Sequence, residues 1–307
     1  MDMSQIKVYL LAIACLFVFT SADAQDPTTY TFEGSINNIW TTTGNWTPAY
    51  PGVSIPEGDA IVIAASCRAS HMSIEIGGGL IINAGQTLYI GATNLNVTGL
   101  MTVFGELSIQ TGGAFVNSGY STIESTGSIS NAETVFNASV LIIEGSVMNN
   151  GNWVNASFGE MQLLSMASFD NANYLINKGH IEDFSSGFIN HSNLDNNGEL
   201  TFAGAFVNAG NLANLSTIFI EGHFSTAAGS NLFNHKLVEI SSEGVLMNSG
   251  TSYIFSAAQL RNEGAVVNKE NGIIFNQGTL TTRGGVNFTL KPGSYLENHP
   301  GSVVSVN

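Results

Sequence analysis

A short unit made of an apolar residue, a free residue and an asparagine returns along most of this chain and decides what it can fold into. In six places the unit is doubled, with its asparagines six residues apart: Asn131/Asn137, Asn149/Asn155, Asn171/Asn177, Asn190/Asn196, Asn208/Asn214 and Asn262/Asn268. Two residues before each first asparagine stand Ile129, Val147, Phe169, Phe188, Phe206 and Leu260. The residues between them, Ser130, Met148, Asp170, Ile189, Val207 and Arg261, share no character. Single copies end at Asn83, Asn117, Asn234, Asn248, Asn276 and Asn298. Alternation of fixed and free positions marks a strand with one buried face. A unit that recurs about every 20 residues marks a solenoid, in which each turn of chain packs only on its neighbours.

Local composition selects the kind of solenoid. Segments such as VLIIEG, STIFIEG and GIIFNQG are short, β-branched or aromatic, and punctuated by glycine. Such segments suit strands and carry no helical period. The expectation is an all-β chain, a single-stranded parallel β-helix with coils of roughly 18–22 residues. Right-handed winding is expected, because left-handed helices keep a stricter hexapeptide period than this. Asparagine at the strand ends is expected to turn the corners with left-handed backbone, as in Asn149–Gly151, Asn208–Gly210 and Asn262–Gly264. Stacked one above another, Asn131, Asn149, Asn171, Asn190, Asn208 and Asn262 are expected to form an amide ladder, each donating to one neighbour and accepting from the other. The intervals of 14 residues linking Asn234, Asn248, Asn262 and Asn276 are short for a coil, so there the unit is expected on two corners of one coil.

The two ends of the chain read differently. Lys7 precedes the apolar run VYLLAIACLFVF, and Ala22 and Ala24 form an A-x-A site, so residues 1–24 read as a secretory signal peptide. The run is shorter than a membrane span needs, and no later stretch approaches that length. Beyond it one cysteine remains, Cys67, expected as a small buried hydrophobe. Residues 25–70 lack the unit and hold Trp40, Trp46 and four of the six prolines. This segment is expected to cap the solenoid of residues 71–307, with the two tryptophans covering the first coil. The competing reading makes Trp40 and Trp46 an aromatic platform for sugar. At the other end nothing charged or proline-rich closes the last coil, so end-to-end self-association is expected.

The opening W-x-x-x-G-N-W (Trp40 to Trp46), the proline-rich loop after it and the strand phase of Gly58–Ile63 resemble the start of secreted bacterial β-helix proteins. These are common among Bacteroidetes surface proteins and are similar to filamentous-haemagglutinin and autotransporter-type repeats. The resemblance implies adhesion or extracellular scaffolding and transfers no catalytic residue. Members often end in a sorting domain or anchor, whereas this chain stops at GSVVSVN.

Charge and motif content bound the chemistry. The formal net charge of −15 excludes nucleic acid and anionic membrane as partners. A polysaccharide lyase needs a base and cations, which are scarce beyond residue 70. A glycosidase needs two carboxylates roughly 5–10 Å apart. The densest acidic stretch holds Glu182, Asp183, Asp195 and Glu199, which are the glycosidase candidates and also the calcium candidates. The histidines lack zinc-ligand spacing, and no cofactor motif is present. Seven N-x-S/T sequons, at Asn45, Asn96, Asn137, Asn155, Asn190, Asn214 and Asn287, are read as ladder members. The leading expectation is a non-enzymatic secreted or cell-surface adhesin or scaffold contacting polysaccharide or other surface proteins. The alternatives are a carbohydrate-active enzyme on the same fold and the passive stalk of a longer protein.

Overall fold

A computed structural model describes residues 26–306, so the signal-peptide segment 1–24 lies outside the described residues. The chain is an all-β parallel solenoid of about thirteen turns, built from three long sheets of 15, 12 and 13 strands. Almost every strand is four residues long, and the chain visits the three sheets in rotation. A coil is therefore three strands and three corners. We call the sheets I, II and III in the order in which one coil meets them, for example Val140–Ile143, Ser146–Asn149 and Asn152–Asn155.

The sequence unit explains each strand. Its second and fourth residues point inward, and its first and third point out. The second is apolar in nearly every coil. The fourth is mostly aliphatic in sheet I, as at Ile123, Ile143, Leu163 and Ile220, and mostly asparagine in sheets II and III. In five of its six copies the doubled unit is thus a sheet II strand, a two-residue corner and a sheet III strand, which is why its asparagines stand six apart. Coil-to-coil intervals of 18, 22, 19 and 18 residues along the sheet II asparagines differ only through insertions at the other corners.

Strictly in-register parallel pairing stacks like on like. In sheet II, Phe169, Phe188, Phe206 and Phe224 form an inward column with ring centroids 5.1, 4.9 and 4.9 Å apart. Each such ring contributes roughly 1.5–3 kcal/mol through burial. Corners are narrow where coils meet: a Cβ on Gly179 would lie 2.2 Å from the Gly159 carbonyl oxygen, so only glycine admits that approach.

Four expectations need correction. First, Asn262 ends a sheet I strand, aligned with Ile240 and Thr282, and so is not stacked with the other five asparagines. Its unit looks the same in sequence, but the 14-residue intervals skip a sheet at each step, from III to II to I to III. Second, Asn83 lies just past its strand: Leu80 and Ile82 face inward there, not Ile81. Third, the stacked asparagines are extended strand residues. Among described asparagines only Asn271 has positive φ, at 63°. Fourth, stacked strands begin before residue 71, with Ala60–Ile63 and Cys67–Ser70 already paired in sheets I and II. Their inward residues Ile61, Ile63, Cys67 and Ala69 include no asparagine, which hid them from the repeat.

Before these strands, Thr29–Phe32 adds in parallel to sheet I and carries Trp46–Thr47 antiparallel beside it. Ser54–Ile55 begins sheet III, and Ile39 bridges Arg68 beside sheet II. At the opposite edge run Asn287–Leu290, Tyr295–Asn298 and Val303–Val306, where Leu290, Val304 and Val306 are exposed.

Candidate functional site

Two amide ladders line two of the three inner corners. In sheet II, Nδ2 of Asn131 donates to Oδ1 of Asn149 at 2.7 Å, and the chain continues through Asn171 and Asn190 to Asn208 at 2.7–2.8 Å. In sheet III, Asn117, Asn137, Asn155, Asn177, Asn196, Asn214 and Asn234 are linked at 2.7–2.9 Å. Every donation points toward the C-terminal coil. The second amide hydrogen goes to a main-chain carbonyl one coil on, as from Asn171 to Asn193 at 2.9 Å. All of these amides are buried, so each bond satisfies a group that would otherwise cost about 1–3 kcal/mol. Aligned donors also polarise one another.

The first rung of a ladder has no asparagine behind it, and its oxygen accepts elsewhere. Ser121 Oγ donates to Asn117 at 2.9 Å, and the Glu133 amide donates to Asn131 at 3.0 Å. The ladders are also interrupted once each. Thr226 replaces asparagine between Asn208 and Asn248, and Ile254 replaces it between Asn234 and Asn276. After the breaks, Ser252 Oγ supplies Asn248 at 3.1 Å, and the Gly278 amide supplies Asn276 at 3.1 Å. Ser121 and Ser252 occupy inward positions where other coils carry apolar side chains, and a ladder starts beside each.

Of the seven sequons, Asn137, Asn155, Asn190 and Asn214 are buried rungs. Asn45 is buried too, but in a loop, where its oxygen accepts from the amides of Ile36 and Asn37. Asn96 and Asn287 point outward and belong to no ladder.

The tryptophans present no platform. Trp40 is 0% exposed and Trp46 5%. Their rings meet edge-to-face at 4.8 Å, Trp46 packs on Phe32 at 5.1 Å, and both indole nitrogens donate to backbone carbonyls. Each ring face and each polar handle is already used within the fold.

The acidic stretch does not converge. Glu182 and Glu199 lie on the outer side of sheet I, Asp195 on the outer side of sheet III, and Asp183 in the interior. Glu199 stands opposite His180, with 3.2 Å between Oε1 and Nδ1. Asp195 accepts from the Tyr174 hydroxyl, which raises the Tyr174 pKa. No group of three potential metal ligands occurs among the described residues. Alternation thus divides the four: Glu182 and Glu199 share the outer face of sheet I in adjacent coils, while Asp183 and Asp195 lie elsewhere, so the four do not make one calcium site.

Asp183 is the unusual member. Its Oδ1 accepts from the Ser185 amide at 2.9 Å and hydroxyl at 2.6 Å, while Oδ2 is buried with no partner. Burial outweighs the Ser185 hydrogen bonds and pushes its pKa up to about 6. Cys67 is buried as expected, and burial raises its thiol pKa, which leaves it an inert packing group.

One surface feature escaped sequence reading. Phe233, Tyr253 and Phe275 take the same outward position in three successive sheet III strands, with ring centroids 5.2 and 5.1 Å apart and planes within 14° of parallel. A signal existed: Phe233 and Phe275 are the free residues of the units ending at Asn234 and Asn276. Outward residues before the first asparagines share no character, and that concealed those before the others.

No protein-family model matches this chain, and no curated protein matches it. Among solved structures, it is similar to the crystal structure of a TibC-catalysed hyper-glycosylated TibA fragment, at TM-score 0.33 and 15% identity, covering 91% of this chain and 99% of that one. A likeness of that size bears on no functional assignment.

Proposed function

We propose that this protein is a non-enzymatic, secreted or cell-surface β-solenoid that acts as an adhesin or extracellular scaffold, holding a repetitive surface against polymeric partners. The observation that carries this reading is the use of the interior. Inward positions are taken up by packed apolar side chains and amide ladders, so what the molecule offers a partner is its outside, where the same rows return coil after coil. Many weak, evenly spaced contacts suit a repetitive polymer better than a small molecule. Residues 26–59 serve as the end cap in this account, with Trp40 and Trp46 as their core. The exposed Leu290, Val304 and Val306 form an apolar edge on which a further coil would stack.

The test incubates the full chain with a panel of polysaccharides. Bound protein and new reducing ends or unsaturated uronates are measured together. Retention on polymer without new ends is the expected result. Cleavage of any polysaccharide would overturn the reading in favour of a carbohydrate-active enzyme.

A further inference from the structure

On the outer surface of sheet III an aromatic column runs over three successive coils. Phe233, Tyr253 and Phe275 are half-buried. A second stack runs beside them at the corner, with Phe255 parallel to His235 at 4.1 Å and 6.0 Å from Tyr253. Parallel rings in face contact approach to about 3.5–4 Å. The centroids here stand 5.2 and 5.1 Å apart, so no ring is in full face contact with the next. On the margin, Asn231 and Thr251 point outward from the same strands and add hydrogen-bonding groups. No Asp, Glu, Lys or Arg occurs in Asn231–Asn234, Thr251–Ile254 or Ile273–Asn276, although the whole chain carries a formal charge of −15. The column ends where Glu297 succeeds Phe275 and Ala213 precedes Phe233.

We propose that this ridge binds a neutral, extended glycan laid along the rod axis. The proposal rests on the polymer-contact reading above and names its site. A pyranose ring has an apolar C–H face and a hydroxyl rim, which match aromatic surface flanked by amide and hydroxyl groups. One ring per coil, at about 4.8 Å, suits a chain whose sugars recur at a similar interval, as in β-1,4-linked polymers. Each contact is weak, and several in series give useful avidity. The absence of cations from the ridge strands, on an acidic body, selects uncharged chains over polyuronates.

The experiment titrates cellohexaose and, separately, hexagalacturonate into the full chain by calorimetry. The expected result is saturable binding of cellohexaose alone. Tyr253→Leu and Phe275→Leu keep the apolar packing, so they should reduce affinity at least ten-fold without a large change in melting temperature. Tyr253→Phe should retain binding. Phe136→Leu, at the same strand position away from the ridge, should leave it unchanged. Undiminished binding by both ridge variants would overturn the site while leaving polymer contact standing. Failure of cellohexaose to bind would overturn the neutral-glycan ligand. Concentration-dependent dimerisation lost in Tyr253→Leu, with no response to glycan, would assign the ridge to a second copy of this chain and overturn the proposal.

Discussion

Asparagine and aspartate differ little in shape, yet the interior of this solenoid separates them sharply. A rung such as Asn171 must accept from Asn149 and donate to both Asn190 and the Asn193 carbonyl. A carboxylate cannot donate, and it brings charge into the core. Asn171→Asp should destabilise by about 2–4 kcal/mol, whereas Asn211→Asp on the surface should cost well under 1 kcal/mol. Paired denaturant melts decide it, and equal midpoint shifts would contradict the ladder. Asp183 shows what a buried carboxyl meets at the same strand position of sheet I, between Leu163 and Phe202, where no ladder runs. Ile181-x-Asp183 is the repeat unit with its amide replaced, so its inward direction was legible in the sequence. Grouping it with neighbouring acids obscured this, because a cluster along the chain is not a cluster across a strand. Its folded pKa lies above the ordinary 3.8, so the neutral form is the one the fold prefers. Stability from this group is full below about pH 4, falls as pH rises toward 6 and is constant above that. Asp183→Asn should remove this loss, on the order of 3 kcal/mol. The difference in melting temperature between variant and parent should widen from pH 4 to pH 6.5, and a constant difference would contradict the assignment.

At the scale of elements, the four-residue strand and its phase follow directly from the apolar-x-Asn unit, and so does the stacking of coils. The unit says that a corner follows but not which of the three, so Asn262 looked like a sheet II rung until the 14-residue intervals were placed on the sheets. The breaks were equally hidden, since Phe224-x-Thr226 and Ser252-x-Ile254 fit strand alternation without fitting the motif. Thr226 is buried and its hydroxyl has no partner, while Asn208 lacks the onward bond that the earlier rungs make. Thr226→Asn should join the two halves of the sheet II ladder. The gain expected is about 1 kcal/mol, read as a rise of a few degrees in melting temperature. No rise, or a fall, would mean that the corner at Thr226 has no room for an amide. The outer aromatic column crosses the coils where the sheet III ladder is broken: Tyr253 stands outside, next to Ile254 inside.

The whole molecule is a stack in which every coil repeats the last, and this is why so much of it could be read from one unit. What could not be read lies where the repeat is silent. Residues 26–59 carry their structure in contacts that no periodicity announces, such as the Thr28 amide to Asp59 Oδ1 and Trp40 Nε1 to the Gly52 carbonyl. The faces toward solvent are set by residues that folding leaves free, so the aromatic ridge emerged only from three-dimensional register. The central claim is that buried amide ladders tie the coils together along two corners of the rod. Hydrogen exchange of asparagine side-chain amides, followed by NMR on the assigned protein, tests it most directly. The Nδ2 hydrogens of Asn137, Asn155, Asn171, Asn177, Asn190 and Asn196 should be protected to a degree comparable with the neighbouring strand amides, while those of exposed Asn150 and Asn197 exchange at solvent rates. Equal, fast exchange at all of these positions would contradict the account.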